Sequence, residues 1–268
     1  MVDFEVTGFY DARMSSIKFE SADGIARVTL AAPERRNSLT PGEFAELRDI
    51  LATIAASPDD RAVVITGEGT AFCAGAYLPL GGPQDPPIVM MRQIDDTARM
   101  LHRMPQPCVA AVNGHAVGAG MSLALGCDLV IASTAATFSQ VFVKRGLSPD
   151  FGSSWLLPRI VGLHAAKKLA LLGDTIDAAE AARLGLVTEV VVPEDLAGTA
   201  TALARRLADG PPIAMALTKE LLNQSFTSSF DSALDREAAV AAANMAGQDA
   251  VEALAAFKEK RAPVFKGR

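Results

Sequence analysis

Along the chain the spacing of apolar positions changes repeatedly, and each change marks an element. Runs at 16–20 and 25–30 alternate apolar with polar side chains and are split by Ala22-Asp23-Gly24, which predicts a β-hairpin. After the polar break Ala32-Pro33-Glu34-Arg35-Arg36-Asn37, Thr40 and Pro41 stand as N-cap and first-turn proline of a helix. Phe44, Leu47, Leu51 and Ile54 then recur at three- and four-residue steps, forming one apolar stripe. A β-branched run at 62–66 reads as a buried strand, 67–82 as a glycine-rich irregular stretch, and 89–104 as a helix. A strand at 108–112, a turn at Asn113-Gly114 and a helix from about Gly118 follow, with later strands at 129–132 and 187–192. A short helix is predicted over 151–157. From about Glu194 the pattern is almost wholly helical and rich in alanine. Strands alternating with helices predict an α/β architecture with crossover connections. The chain divides into a loose terminus (1–15), an α/β core (16–193) and a helical C-terminal part (194–268).

Composition narrows what such a chain does. Half of its 268 residues are hydrophobic, and 25 Lys+Arg against 31 Asp+Glu give a net charge of −6. A duplex-binding surface carries a basic excess, so nucleic acid is not an expected partner. The mean hydropathy of +0.23 raises the question of a membrane. The longest uncharged run, 104–127, contains Pro105, Pro107, Asn113, His115 and several glycines, and Asp128 closes it. A lipid-facing helix is not written that way, so the run reads as buried strand, glycine turn and buried helix. Three cysteines, an odd number in a chain too large to depend on them, fit a reducing cytoplasm. The first residues carry Asp3, Glu5 and Asp11 and do not read as a signal peptide. Three histidines and three cysteines without short spacing give no metal signature.

Two segments stand out chemically. Ala71-Phe72-Cys73-Ala74-Gly75-Ala76-Tyr77-Leu78 follows a strand, and Asn113-Gly114-His115-Ala116-Val117-Gly118-Ala119-Gly120-Met121 joins a strand to a helix. Small residues let the backbone approach a ligand, and amides at a helix start point outward at the positive end of its dipole. Two such amides from two loops make an oxyanion hole, although either loop alone also reads as a tight, closely packed turn. Neither matches a phosphate cradle, and Gly118-Ala119-Gly120 lacks the third glycine of a dinucleotide fingerprint.

Together with further motifs, these segments resemble the enoyl-CoA hydratase/isomerase family, the crotonase superfamily. The matching pieces are Pro33-Glu34-Arg35-Arg36-Asn37-Ser38-Leu39, Phe72-Cys73-Ala74-Gly75-Ala76, Ala111-Val112-Asn113-Gly114 with Gly118-Ala119-Gly120, and Cys127-Asp128-Leu129. Near the end, Phe257-Lys258-Glu259-Lys260-Arg261 and Pro263-Val264-Phe265 also fit. The resemblance implies the ClpP/crotonase fold, a spiral of ββα units with a helical C-terminal part, binding an acyl-CoA thioester. Coenzyme A would be part of the substrate, and no separate cofactor or metal is implied. By motif position the oxyanion donors fall on Ala76 and Ala119, with Ala74, Gly75, Gly118 and Phe142 beside them as substrate-binding residues. Arg35 and Arg36 lie where relatives line the CoA adenosine and phosphates. Tyr77 and Leu78 border the acyl pocket, and Lys260 and Phe265 belong to a tail that relatives place near CoA, sometimes that of a neighbouring subunit. Relatives are commonly homotrimers or dimers of trimers, and the apolar C-terminal helices agree.

Acid–base groups, not fold, choose the reaction. The family's hydratases use two glutamates, and the matching positions here carry Ser122 and Phe142. Neither accepts a proton at neutral pH. The stretch Leu147-Ser148-Pro149-Asp150-Phe151-Gly152-Ser153-Ser154-Trp155 matches one in which several relatives place a catalytic aspartate, which here is Asp150. As residues alone, Asp150 also reads as a turn residue or as the N-cap of the helix that follows. Phe142, Phe151 and Trp155 around it predict a raised pKa. One such carboxylate suffices to move a double bond, so the expectation is an enoyl-CoA isomerase with Asp150 as proton shuttle. The alternatives are a hydratase with an atypical water site, a nucleophilic aspartate as in dehalogenase relatives, and a CoA-thioester binder without turnover. His115 reads as an orienting or packing residue, and His102 and His164 as isolated.

Overall fold

The computed structural model describes residues 15–77 and 86–267; the expected loose terminus falls outside them except for Ser15. β1 (Ile17–Ala22) and β2 (Ile25–Leu30) form the hairpin, Ile17 opposite Leu30, around a turn in which Asp23 and Gly24 both take positive φ. That turn follows the right-handed strand twist. α1 (Pro41–Ala56) starts as its sequence requires: Thr40 Oγ1 accepts the Glu43 amide, while the Thr40 amide donates to Glu43 Oε2 at 2.7 Å.

Three ββα units then repeat one arrangement. They are β3 (Ala62–Gly67), β4 (Ala71–Cys73) and α2 (Pro87–Arg103); β5 (Cys108–Val112), β6 (His115–Val117) and α3 (Ala119–Gly126); and β7 (Leu129–Ser133), β8 (Thr137–Ser139) and α4 (Ser153–Val161). α5 (Leu163–Leu172), β9 (Thr175–Asp177), α6 (Ala178–Arg183) and β10 (Glu189–Val191) complete the core, followed by α7 (Leu196–Ala208), α8 (Pro212–Gln224), α9 (Phe230–Met245) and α10 (Gln248–Glu259). The first strand of each unit joins a large sheet in the order β1-β2-β3-β5-β7-β10, parallel from β2 onward. The second strand joins a smaller sheet, β4-β6-β8-β9.

Both faces of the large sheet are covered, which is why its central strands are apolar throughout. Val63, Ile65, Ala110 and Val112 face α1, α2 and α3, whereas Ala62, Val64, Val109 and Ala111 face Leu196, Ala200, Ala204 and Ala208 of α7. The expected core boundary near residue 194 therefore cuts ahead of a helix that the sheet buries. The chain leaves the core at α8, since α8 and α9 bury no side chain and α10 buries only Ala256. Within 67–82, read as irregular, β4 forms, and β6 forms between the turn at Asn113-Gly114 and α3. At three residues each, with β8 and β9, these strands are too short to show alternation. Among the described residues no helix is long and apolar enough to cross a membrane.

Candidate active site

β4 and β6 lead into the two glycine loops. The Gly75 carbonyl accepts from the Leu39 amide at 2.8 Å, the Tyr77 amide donates to the Leu39 carbonyl at 2.8 Å, and the Ala74 amide donates to the Arg36 carbonyl at 2.9 Å. This pairing of Leu39 with Ala76 turns the Ala76 amide to the opposite side from Leu39. Gly75 has φ of +93°, and a Cβ there would stand 2.7 Å from the Val117 carbonyl and 3.2 Å from the Ala119 amide nitrogen. Only glycine lets the loops touch in this way. Ala119 is the first residue of α3, so its amide is one of the helix's unpaired N-terminal donors. Closeness continues at Gly120, where a Cβ would lie 2.0 Å from the Cys73 carbonyl oxygen.

Two asparagines that the motif reading passed over hold this frame. Asn37, fully buried, accepts the Ala32 amide at 2.9 Å and donates to the Glu68 and Ala71 carbonyls at 2.9 and 2.7 Å. Asn113 reaches the Gly69 carbonyl at 2.9 Å and the Ala71 carbonyl at 3.2 Å. Each asparagine ties a loop to the β3–β4 turn. Their signal in the sequence was only membership of a motif.

Asp150 sits in the loop between the 3₁₀ turn Val141–Arg145 and α4. Its carboxylate is not the cap of α4, because Gly152 occupies the N-cap without a side-chain bond. The Asp150 backbone carbonyl, not its side chain, accepts the Ser153 amide at 3.0 Å. Asp150 Oδ1 is buried and has no hydrogen-bond partner among the described residues. Burial, then the charge of Asp95, pushes its pKa up from 3.8 to about 6, against a smaller lowering by its own amide. The next residue, Phe151, is held at φ +52° with its ring buried, 6.1 Å from the Phe44 ring. A left-handed phenylalanine is strained, and such strain is kept where packing over-determines it. Ser153 Oγ donates to Gln140 Oε1 at 3.2 Å, which ties this loop to the end of β8.

The positions of the two hydratase glutamates lie beside Gly118. Ser122 Oγ is buried and donates to the Gly118 carbonyl at 3.1 Å. The Phe142 ring is buried against Gly118, where a Cβ would meet Phe142 Cζ at 3.7 Å. His115 Nδ1 pairs with Thr137 Oγ1 at 2.8 Å across β6 and β8, an orienting contact. His102 meets the Trp155 ring edge-on, and burial followed by Lys219 lowers its pKa. Burial pushes the Cys73 thiol up to about 12, which removes it as a nucleophile. Among the described residues no cluster of three metal-ligating side chains forms.

Several expected contacts are not assembled here. Arg35 is committed to the fold: it pairs with Glu43 (Nη1 to Oε2 at 2.9 Å), donates to the Ser38 carbonyl and lies over the Tyr77 ring at 5.9 Å. Its guanidinium is thus held against the Glu43 carboxylate at the foot of the first loop. Arg36, exposed and left-handed at φ +55°, remains on the surface beside the first loop. Leu78 lies outside the described residues. Phe265 packs among α8, α9 and α10, and its carbonyl accepts from Arg61 at 3.0 Å. Arg61 lies immediately before β3, so the tail at Phe265 is tied to the start of that strand.

Comparison with known proteins decides the family. The sequence model for enoyl-CoA hydratase/isomerase matches residues 20–268. The chain belongs to the enoyl-CoA hydratase/isomerase family. It is 39% identical to a 1,2-epoxyphenylacetyl-CoA isomerase of Escherichia coli K12, covering 91% of this chain and 96% of that protein. It is 34% identical to an (E)-benzylidenesuccinyl-CoA hydratase of Thauera aromatica, covering 94% and 99%. The crystal structure of an enoyl-CoA hydratase from Bacillus anthracis superposes with a TM-score of 0.91 at 34% identity, covering 95% and 100%. The fold is thus the crotonase fold, and the chain is an enzyme of this hydratase/isomerase kind. Family names alone do not choose between the two reactions, since relatives carry both.

Proposed function

We propose that this enzyme shifts a carbon–carbon double bond in an acyl-CoA thioester. The Ala76 and Ala119 amides receive the thioester carbonyl oxygen, and the acyl group lies toward Asp150. The Asp150 carboxylate takes a proton from an activated acyl carbon. The electron pair left behind delocalises onto the carbonyl oxygen as a dienolate, where each amide contributes about 3–4 kcal/mol of stabilisation. Asp150 then returns the proton two carbons along, and the double bond has moved with no net change in composition. A pKa near 6 suits a group that must both accept and return a proton near neutral pH. Coenzyme A arrives as part of the substrate, and the proton relay as drawn needs no redox partner or metal. Arg36 is assigned to the CoA phosphates. The Lys260 and Phe265 contribution is assigned to a neighbouring subunit of a homotrimer or dimer of trimers.

One observation carries the choice of isomerisation. Asp150 is a partly buried carboxyl with an unpaired oxygen, while a back-bonded serine and a phenylalanine occupy both hydratase-glutamate positions. Relatives named as hydratases keep hydration as the second reading. The deciding experiment follows solvent deuterium into the acyl α- and γ-carbons of enoyl-, dienoyl- and arylacetyl-CoA thioesters. Exchange and double-bond migration are expected in the wild type, and both fall at least about 10²-fold in Asp150→Asn. Hydration of crotonyl-CoA that survives Asp150→Asn contradicts the assignment. A trapped Asp150 ester identifies a nucleophile instead, and tight binding without exchange identifies a non-catalytic binder.

A further inference from the structure

One short stretch of chain, residues 139–142 at the end of β8, touches both the second glycine loop and the loop that carries Asp150. On the first side, the Ser139 carbonyl accepts the Gly118 amide at 2.8 Å, one residue before Ala119. A Cβ on Gly118 would meet Val141 Cγ1 at 3.6 Å and Phe142 Cζ at 3.7 Å. On the other side, the stretch closes the Asp150 loop at both ends. The Leu147 amide donates to the Phe142 carbonyl at 3.0 Å, and Ser153 Oγ donates to Gln140 Oε1 at 3.2 Å. The Ser153 amide in turn holds the Asp150 carbonyl at 3.0 Å. The stretch is itself clamped to the end of α5: Ser139 Oγ donates to the Gly173 carbonyl at 3.1 Å, and a Cβ on Gly173 would stand 3.3 Å from the Gln140 carbonyl oxygen.

The Gln140–Ser153 bond differs from the main-chain ties in needing a particular side chain at each end. Both residues are buried, Gln140 completely. As packing alone a glutamine is a poor choice there, because Gln140 Nε2 is buried and has no partner among the described residues. An unmet buried donor opposes folding, and an apolar side chain would carry no such penalty. What the carboxamide supplies is the acceptor for Ser153. Resting on the reading of Asp150 as proton carrier, we propose that Gln140 and Ser153 are its positioning residues. Their bond ties the end of the Asp150 loop to the stretch that carries Gly118, and so sets the Asp150 carboxyl relative to the Ala119 amide. A carboxyl that takes a proton from one carbon and returns it two carbons along needs that spacing held closely, since a displacement of about 1 Å costs up to about 10²-fold in rate.

The test is a double-mutant cycle on double-bond migration in a β,γ-unsaturated acyl-CoA. Gln140→Leu and Ser153→Ala are each expected to lower kcat about tenfold with KM within about twofold of the wild-type value, as loss of transition-state positioning requires. The double variant is expected to be no slower than either single one, because the two side chains act through one bond. Its urea midpoint is expected at or above that of the wild type, since both polar ends are gone together. Should one single variant leave a stranded polar group and fail to fold, the double variant carries the comparison. Wild-type kcat in the folded double variant, a loss confined to KM, or single effects that multiply overturns the proposal. A midpoint that falls together with kcat marks a merely structural bond and overturns it as well. Asp150→Asn is measured alongside. Full turnover there overturns the proton-carrier reading itself, whereas an inactive Asp150→Asn beside a fully active double variant overturns the positioning role alone.

Discussion

A carboxyl whose folded-state pKa lies above its ordinary value weakens the fold at neutral pH and above. Asp150 stands at about 6 against 3.8, so the stability it contributes is fully present below 3.8 and is lost as pH rises through about 6. The upper bound is about 3 kcal/mol, and partial exposure reduces it to about 1–2 kcal/mol. Asp150→Asn removes the ionisable group. The variant is expected to be more stable than the wild type by about 1–2 kcal/mol at pH 8, with the gap closing towards pH 4. Urea unfolding at the two pH values checks this, and a wild type more stable at pH 8 refutes it. Glu43 has the opposite sign. Burial alone would raise it, but Arg35, Ser16 and Thr40 outweigh that and hold it down at about 2. Its contribution is present above 4.5 and lost as pH falls through about 2, so Glu43→Gln is expected to cost about 2–3 kcal/mol at pH 7 and progressively less in acid. The same denaturation series measures it. One carboxylate thus stabilises the fold in its charged form, and the other opposes it.

At the scale of elements, legibility in the sequence followed length. α1 is readable because Thr40, Pro41 and the stripe from Phe44 to Ile54 state start, face and register together, and the structure adds Glu43 as the other half of the capping box. β5 is readable because five buried apolar residues run between a proline and an asparagine. β4, β6, β8 and β9 are not, because three residues cannot display a period and their stability comes from the neighbouring strand. The site divides in the same way. Ala76, Ala119 and Asp150 enter the proposed site through motif position, which a short loop makes legible because its backbone path is set by its few residues. Arg35 could not be separated from Arg36 by sequence, because only the fold shows that Glu43 of α1 comes back to engage it.

At the scale of the molecule, the C-terminal helices are stabilised by too little of this chain. α8 is pinned by the Lys219–Asp128 ion pair at 2.8 Å and by Asn223 donating to the His102 carbonyl at 3.1 Å, and just past its end Phe226 lies against Arg159. Beyond it, α9 and α10 expose Phe230, Met245, Val251, Leu254 and Phe257, and Phe257 is 83% accessible. Helices of this length draw most of their stability from packing an apolar face, and solvent rarely meets so much aromatic and aliphatic surface on a lone subunit. In the proposed assembly further copies of the chain would cover these positions, and the tail carrying Lys260 and Phe265 would reach a neighbour's site. Both needs are met if a neighbour covers α9 and α10 and in return receives the tail. Light scattering is expected to give three or six times the 28.0 kDa chain mass, and Phe257→Glu is expected to dissociate the assembly while leaving the core folded. If the neighbour supplies the tail, the dissociated subunit loses acyl-CoA affinity by at least about tenfold although Ala76, Ala119 and Asp150 are untouched. A monomeric wild type with full affinity would instead confine the whole site to one chain.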